Sequence, residues 1–278
     1  MSPYAPESNG AKFFDNGYLT VNSRANSSLN ETAQIDFTLS IGQGRLDASV
    51  VVPTDTVTLT QILPAIQNLT SNIVDSVVQI VKSEGRQVSC RAGCGACCRQ
   101  MVPLSIFEAE ALAEWISALP EERREILRER FHTALTALSE SGLLDRMDPA
   151  EWVDGSDKSK QLAIDYFGAK IPCPFLENES CSIHPIRPLI CREYLVTSPL
   201  EFCAEPTVDK VAGVPMPLRP SLGLFRLGAQ IEKGERGWIP LVFLFAWIKS
   251  GSHPGTFFSG PGPDVLYTFI KSLTSEPK

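Results

Sequence analysis

Hydrophobic and polar residues alternate near the start of the chain. The stretch "IDFTLSIGQGRLDASVVVP", which begins at Ile35, contains two alternating runs separated by a glycine-containing turn at 42–44. A period of two is typical of half-buried strands, so the pattern predicts a β-hairpin over residues 31–56. Residues 1–30 are rich in serine and asparagine and have no apolar periodicity, and we expect a flexible tail there.

After Thr58 the hydrophobic period becomes that of a helix. Apolar side chains recur at steps of three and four residues, at Ile62, Ile66, Leu69, Ile73, Val77 and Ile80. This spacing places them on one face of a long amphipathic helix. We expect the helix to end at Gly85, because glycine accommodates the left-handed conformation that often terminates helices.

Most of the remaining chain also has helical patterns. Capping signals, helix-starting prolines and apolar periodicity predict helices at 105–118, 120–138, 149–168, 240–250 and 263–273. The proline-rich residues 171–222 predict loops with brief helical turns. The predicted fold class is mainly α with a small N-terminal β-hairpin, and with irregular cysteine-rich metal-binding loops joined across a helical insertion. We expect residues 57–278 to form one helical cysteine-cluster domain with its core at 90–203.

Composition and charge narrow the class of protein. The chain has 278 residues, of which 43% are hydrophobic and 21% charged, as in ordinary globular proteins. Its net charge of −7 argues against nucleic acid or an anionic membrane as the main partner. The longest apolar run, at 238–248, is about half the ~20 residues that a membrane span needs, and it predicts a buried helix. The start shows no secretory pattern, so we expect a cytoplasmic location.

The eight cysteines are the main chemical feature, and all lie between residues 90 and 203. They form two groups in the sequence: Cys90, Cys94, Cys97 and Cys98, and then Cys173, Cys181, Cys191 and Cys203. Clustered cysteines in a reducing compartment more often bind metal than form disulfides. We therefore predict that all eight contribute to a metal centre, and that the helices between the groups fold back to bring them together.

Local sequence around the first group favours thiolate ligation. Gly93 and Gly95 flank Cys94, which allows tight turns that direct sulfurs inward. Cys97 and Cys98 are adjacent, and adjacent side chains diverge rather than chelate one ion. This pair suits a multinuclear centre or two metals close together.

Arginines accompany both groups. Arg91 and Arg99 flank the first group, while Arg187 and Arg192 lie near Cys191. Because thiolate-bound metals are anionic, such arginines can neutralise the site and donate hydrogen bonds to sulfur. We take Arg187 and Arg192 as candidate cofactor-binding residues, although arginines beside loops are also commonly solvated.

Three interpretations of the cysteines stay open. Two closed zinc sites would use all eight, since a structural zinc site takes four. An iron–sulfur cluster would use four and leave the others as structural or second-site thiols. Disulfides are a third option that conflicts with a reducing location.

The segments "CRAGCGACCRQ" and "CPFLENESCSIHPIRPLICREY" together resemble the YkgJ-type cysteine cluster family, a zinc- or iron-chelating domain also found in flagellin lysine N-methylases. The resemblance covers about 90–203 and implies metal chelation by the matching cysteines. It matches Arg187, Pro188 and Arg192 to the family's Arg-Pro and Cys-Arg elements, whereas Cys203 lies beyond the best-matching stretch. In the first motif, three residues separate Cys90 from Cys94 where many members have two. His184 replaces a common aromatic and is either a ligand or a simple loop substitution.

Two functions from different classes follow. The first is a metal-binding protein whose zinc, iron or iron–sulfur centre is structural or handles metal. The second is a metal-dependent or iron–sulfur enzyme that modifies a protein side chain, such as the lysine N-methylation that the resemblance implies. No catalytic residue is assigned, since the sequence shows no nucleophilic triad, paired carboxylates or phosphate loop. Glu193 and Tyr194 adjoin Cys191 and are candidates to line a site.

Overall fold

Four antiparallel strands form the largest sheet of the protein. The computed structural model describes residues 11–14, 17–24, 31–41, 44–147, 157–205, 210–231, 237–251 and 258–275. Within them the sheet has the order β1-β2-β3-β4, with β1 at Ala11–Phe14, β2 at Gly17–Arg24, β3 at Thr32–Ile41 and β4 at Gly44–Pro53.

The predicted hairpin is the β3–β4 pair. The apolar residues of β3 alternate into the core as expected, with Ile35, Phe37 and Leu39 buried and Ile35 paired with Val50 of β4. The first two residues of its turn, 42 and 43, lie outside the described residues. The tail prediction for residues 1–30 is wrong where β1 and β2 form, because β2 pairs with β3 over its whole length and so extends the sheet. These two strands form by pairing with their neighbours in the chain, β1 with β2 and β2 with β3.

The helices make the protein mainly α, as predicted. Their bounds are α1 Leu59–Ser83, α2 Ile106–Ser117, α3 Glu121–Glu140, α4 Asp157–Gly168, α5 Leu189–Glu193, α6 Pro220–Ile231, α7 Leu244–Ser250 and α8 Gly262–Thr274. Two short strand pairs join distant segments: β5 Thr56–Thr58 with β10 Ser259–Pro261, and β6 Pro103–Ser105 with β9 Trp238–Pro240. A third pair, β7 Leu176–Glu177 with β8 Ser180–Cys181, is a local hairpin.

The capping box predicted at Ser105 and Glu108 is confirmed, and α1 begins with a second one that the sequence reasoning did not name. The Thr58 hydroxyl accepts from the Gln61 amide and the Gln61 side chain accepts from the Thr58 amide, which starts α1. Ser105 and Glu108 form the same reciprocal pair at the start of α2. These hydrogen bonds satisfy amides that a helix start leaves without intrahelical partners.

Two predictions needed correction, one of a helix and one of a loop, and a third is confirmed over its described part. The run 238–248 is only partly helical, because its first residues form β9 against β6 and α7 begins at Leu244. The segment predicted as loop to residue 222 already enters α6 at Pro220. For the helix predicted over 149–168, the structure describes 157–168 and confirms it there, while 149–156 lie outside the described residues.

The buried side chains of the described residues form three clusters. In the largest cluster, strands β3 and β4 and helix α1 pack against helices α6 and α8. The second lies between α2, α3 and α7 and includes Phe175 and Ile183, with Cys173 and Cys181 packed at its edge. The third joins the C-terminal half of α3 to α4. Of the helices that the structure describes, none combines the length and apolar character needed to cross a membrane.

Candidate metal centre

The first cysteine group lies in a loop that turns into a short 3₁₀ helix. Cys90 and Cys94 lie on the loop, and Cys97 and Cys98 lie on the 3₁₀ helix Ala96–Arg99. Gly93 has a φ of 77°, a left-handed conformation that favours glycine and reverses the chain before Cys94. The loop therefore presents its sulfurs over a short length of chain.

The second group lies on several short elements. Cys173 precedes the β7–β8 hairpin, Cys181 ends β8, and Cys191 lies in the middle of α5. Cys203 ends the 3₁₀ helix Leu200–Cys203. Local turns thus separate these cysteines, and only the tertiary fold brings them near the first group.

Direct contacts join the two groups. The backbone amide of Cys173 donates to the carbonyl oxygen of Cys98 at 2.7 Å. The guanidinium of Arg99 binds Glu179 through Nη2–Oε1 at 2.6 Å and Nη1–Oε2 at 3.0 Å, and its Nη1 also donates to the Gly95 carbonyl at 2.9 Å. The sequence prediction that the helical insertion folds back is therefore met in this structure.

Five of the eight cysteines line one cavity of ≈ 550 Å³: Cys97, Cys98, Cys173, Cys181 and Cys191. They come from three separate parts of the chain. Cys173 and Cys191 are enclosed by protein atoms, but both retain some accessible surface because they face this cavity. The cavity is therefore the place where the two groups meet.

The other three cysteines lie to one side of this cavity. The 3₁₀ helix that carries Cys203 packs against the one that carries Cys97. Cys203 is an electrostatic neighbour of Cys90, Cys94 and Cys97, so it lies with the first group. Within this second set, which consists of Cys90, Cys94 and Cys203, the exposure differs: Cys203 is buried and Cys90 is exposed. Cys97 is the cysteine that both sets share as a neighbour.

The adjacent pair has opposite acidities. The thiol of Cys98 donates a hydrogen bond to Cys97, which lowers the pKa of Cys97 to about 7. The same interaction, together with burial, raises the pKa of Cys98. Cys97 is therefore the thiol most ready to ionise at neutral pH, and a thiolate is the form that binds metal.

Burial opposes ionisation at the deeper positions. It raises the pKa of Cys173 to about 12, raises that of Cys191 well above the ordinary range and also raises that of Cys181. Several thiolates in one cavity would repel one another and lose hydration. A bound cation reverses both effects, since it deprotonates the thiols that coordinate it.

Arg187 is one of two arginines that line the cavity. It lines the same wall as the cysteines and is an electrostatic neighbour of Cys97 and Cys181. Its Nε is buried and has no hydrogen-bond partner among the described residues. A buried donor without a partner is costly, so this nitrogen fits an acceptor such as a metal-bound sulfur.

Arg192 has a different environment. Its guanidinium donates to the carbonyl oxygens of Arg187 and Pro185 and to the Ser71 hydroxyl of α1. These bonds hold the 3₁₀ turn His184–Ile186 against α1, and Arg192 is not among the residues that line the cavity. His184 is exposed, and the charge of Arg187 lowers its pKa.

The sulfurs do not converge on one point. All eight cysteines are free thiols, and within the described residues no three His, Cys, Asp or Glu side chains are arranged as around one ion. The wall of a cavity is a different arrangement from the compact tetrahedron of one zinc site. The cysteine sulfurs and the unpartnered Nε of Arg187 are chemically suited to a thiolate-bound metal. The spacing of the sulfurs does not fit a single tetrahedral ion.

Sequence reasoning missed part of the cavity wall. Arg219 lines the cavity beside Glu193, and Met101, Val214 and Met216 add an apolar surface. Arg219 lies just before α6, a helix that the sequence pattern did not predict. These residues lie far apart in the chain and share only their position at the cavity, so no local sequence motif identifies them.

Comparison with known proteins supports the same segment. Neither curated proteins nor solved structures gave a match. A family model does match residues 89–208, and it is described as "CxxCxxCC: Putative zinc- or iron-chelating domain". The matched segment contains all eight cysteines, including Cys203, as well as the helical insertion. Residues 89–208 of this chain therefore match the model of the cysteine cluster family that the resemblance in the sequence predicted.

Proposed function

We propose that this is a metal-binding protein whose eight cysteines hold zinc or iron in a centre of more than one ion, in a reducing compartment such as the cytoplasm. The observation that carries the proposal is the single cavity lined by five cysteines from three parts of the chain. Three further cysteines adjoin this set through Cys97. More sulfurs are available than one tetrahedral ion can use, and a multinuclear centre accounts for the surplus.

The charge in the cavity supports the proposal. Burial disfavours thiolates at Cys173 and Cys191, and a cation in contact with their sulfurs would offset that cost. Arg187 would balance the remaining negative charge through its unpartnered Nε. When bound, the metal would supply a Lewis acid if it is zinc, or electron transfer if it is an iron–sulfur cluster.

Anaerobic purification with metal analysis and an absorption spectrum tests the proposal. We expect more than one zinc or iron per chain, with brown colour and absorption near roughly 400 nm only if iron–sulfur clusters are present. Cys181→Ser should lower the metal content, whereas Ser180→Ala, at the exposed neighbouring position, should not. If no metal copurifies and chelators leave the fold unchanged, the proposal fails.

The size of the cavity favours a second candidate, a metal-dependent enzyme that modifies a protein side chain, for which lysine N-methylation is the analogy. The cavity extends past the cysteines to Glu193 and Tyr194, which leaves room for a substrate beside the metal. An enzyme of this kind keeps an open coordination position. With cobalt(II) in the site, added azide would change the visible spectrum of an open centre and leave that of a closed centre unchanged.

A further inference from the structure

Besides its cysteines, the cavity is lined by a set of apolar side chains, called here the apolar wall. They are Met101, Val102, Ile190, Leu195, Val214 and Met216. The volume of ≈ 550 Å³ lies within the range of about 300–1,000 Å³ that is typical of pockets for small organic ligands. A thiolate-bound metal on the cysteine side would leave this apolar wall in contact with whatever fills the rest of the cavity.

A positive group lies at the edge of this apolar wall. Arg219 lines the cavity, and its side chain is 40% exposed, which places it where the cavity opens to solvent. Its Nε lies 3.3 Å from Glu193 Oε2, and no described residue accepts a hydrogen bond from its two terminal nitrogens. Those nitrogens form the planar pair that binds a carboxylate or phosphate in a bidentate manner.

Glu193 does not compete for these nitrogens. Its Oε1 accepts from the Ser221 amide at 2.7 Å, and its Oε2 accepts from the Ser221 hydroxyl at 2.6 Å as well as from Arg219 Nε. The carboxylate is therefore committed to the start of α6 and holds the guanidinium by one edge. This leaves the outer edge of Arg219 free to face an anion.

We propose that the cavity binds a small organic anion, with its carboxylate or an equivalent oxyanion on Arg219 and its apolar body against Met216 and Val214. Bound in this way, the far end of the ligand would face the cysteines. The assignment rests on the proposed function only in that both use the same cavity, since Arg219 and the apolar wall contain no metal ligand. It extends that function by naming the chemical class of a substrate or ligand.

Fluorescence titration of the purified, metal-loaded protein tests the assignment. The anionic probe is anilinonaphthalene sulfonate, and the matched neutral probe is phenylnaphthylamine, which has a similar aromatic body without the charge. We expect saturable binding of the anionic probe at one site, with displacement by octanoate. Arg219→Gln should weaken the anionic probe about tenfold and leave the neutral probe unchanged, because a charge-assisted hydrogen bond is lost.

Control variants separate charge, shape and folding. Met216→Gln should weaken both probes, because it places a polar group on the apolar wall. Arg128→Gln removes an exposed arginine on α3 and should change neither. Thermal unfolding and metal content are measured on every sample, so that loss of fold or of metal is distinguished from loss of the anion site.

The possible results decide between the two proposals. Equal affinity of the anionic probe for the wild-type protein and Arg219→Gln, or no saturable binding by wild type, overturns the anion site. Binding that depends on Arg219 in a protein that purifies without metal and keeps its fold in the presence of chelators would retain the anion site and overturn the metal proposal. A metal-loaded protein that does not bind the anionic probe would retain the metal proposal and overturn the anion site.

Discussion

Gly95 lies where the two cysteine groups meet, and its missing side chain lets them approach. A Cβ at this position would lie 2.6 Å from Glu179 Oε2, 2.8 Å from Leu176 Cδ1 and 3.2 Å from Glu179 Cα. The first of these atoms binds Arg99, so moving it would disturb that ion pair, and the third is backbone, which cannot turn away as a side chain can. At the scale of single residues, Gly95 allows the first cysteine loop to lie against Leu176 and Glu179, and the hydrogen bond from Cys98 lowers the pKa of Cys97.

The variant Gly95→Ala should destabilise the protein by about 1–3 kcal/mol, the usual cost of overpacking. Chemical denaturation would measure the change. Gly168→Ala is the matched control, because a Cβ there meets nothing within 4 Å and the residue lies in α4. That control should show no loss of stability. Equal stability of Gly95→Ala and the wild-type protein would contradict the packing argument.

Cys97 should be the first cysteine of the metal-free, reduced protein to react with iodoacetamide as the pH rises. The reactive form is the thiolate, and a pKa of about 7 makes Cys97 half ionised near pH 7, whereas Cys173 with a pKa of about 12 stays a thiol. Peptide mapping by mass spectrometry at a series of pH values would give the midpoint for each site.

Cys98→Ala supplies the control for this pH dependence. It removes the thiol that stabilises the Cys97 thiolate, so the pKa of Cys97 should rise and its labelling midpoint should move to higher pH. A wild-type midpoint near the ordinary cysteine value of 9.0, or no shift in Cys98→Ala, would show that the hydrogen bond does not control the acidity.

At the scale of elements, α5 is too short to hold its own position. It has five residues, from Leu189 to Glu193, and it carries Cys191. Two carboxylates anchor it: Glu108 of α2 accepts from the Leu189 amide at 2.7 Å, and Glu193 binds Ser221 at the start of α6. The position of a cavity cysteine thus depends on neighbouring helices.

The variant Glu108→Gln should destabilise the protein by about 1–3 kcal/mol. Glu108 is 2% exposed and accepts from Ser105 on one oxygen and from Leu189 on the other. An amide offers only one oxygen, so one buried donor would lose its acceptor. Urea denaturation would measure the effect against Glu114→Gln, an exposed change on the same helix that should stay within about 0.5 kcal/mol. Similar results for both variants would exclude this anchoring role.

At the scale of the whole molecule, the cysteines lie outside the main core, which α5 contacts through Leu189. The largest buried cluster contains no cysteine among its described members. In this cluster, β3, β4 and α1 pack against α6 and α8. Cys173 and Cys181 instead pack on the edge of the second cluster. The two regions should therefore respond differently when metal is removed.

Chelation of the metal should increase hydrogen exchange in residues 90–100 and 173–203, while α1 and the β3–β4 hairpin stay protected. Without a cation, the burial of several thiols and the unpartnered Arg187 nitrogen are no longer compensated. Mass spectrometry of exchanged peptides would measure both regions, with β3–β4 as the internal control. Loss of protection in every segment at once would contradict a separate core.

The sequence alone determined the β3–β4 hairpin, the starts of α1 and α2, and the division of the cysteines into two groups. Each depends on residues that are close in the chain: alternation in β3, the change to a helical period after Thr58, the Ser105–Glu108 pair, and cysteine spacing. Such short-range patterns act through local backbone geometry, so they can be recognised before the chain folds.

The division of the cysteines around the cavity is visible only in the tertiary structure, and so are the other residues that line it. The tertiary structure placed five sulfurs on the cavity wall, brought Cys203 beside the first group and added Arg219 from the start of α6. It also directed Arg192 to backbone carbonyls and to the Ser71 hydroxyl of α1. These outcomes arise from contacts between distant segments, and long-range contacts depend on how whole elements pack rather than on neighbouring residues in the chain.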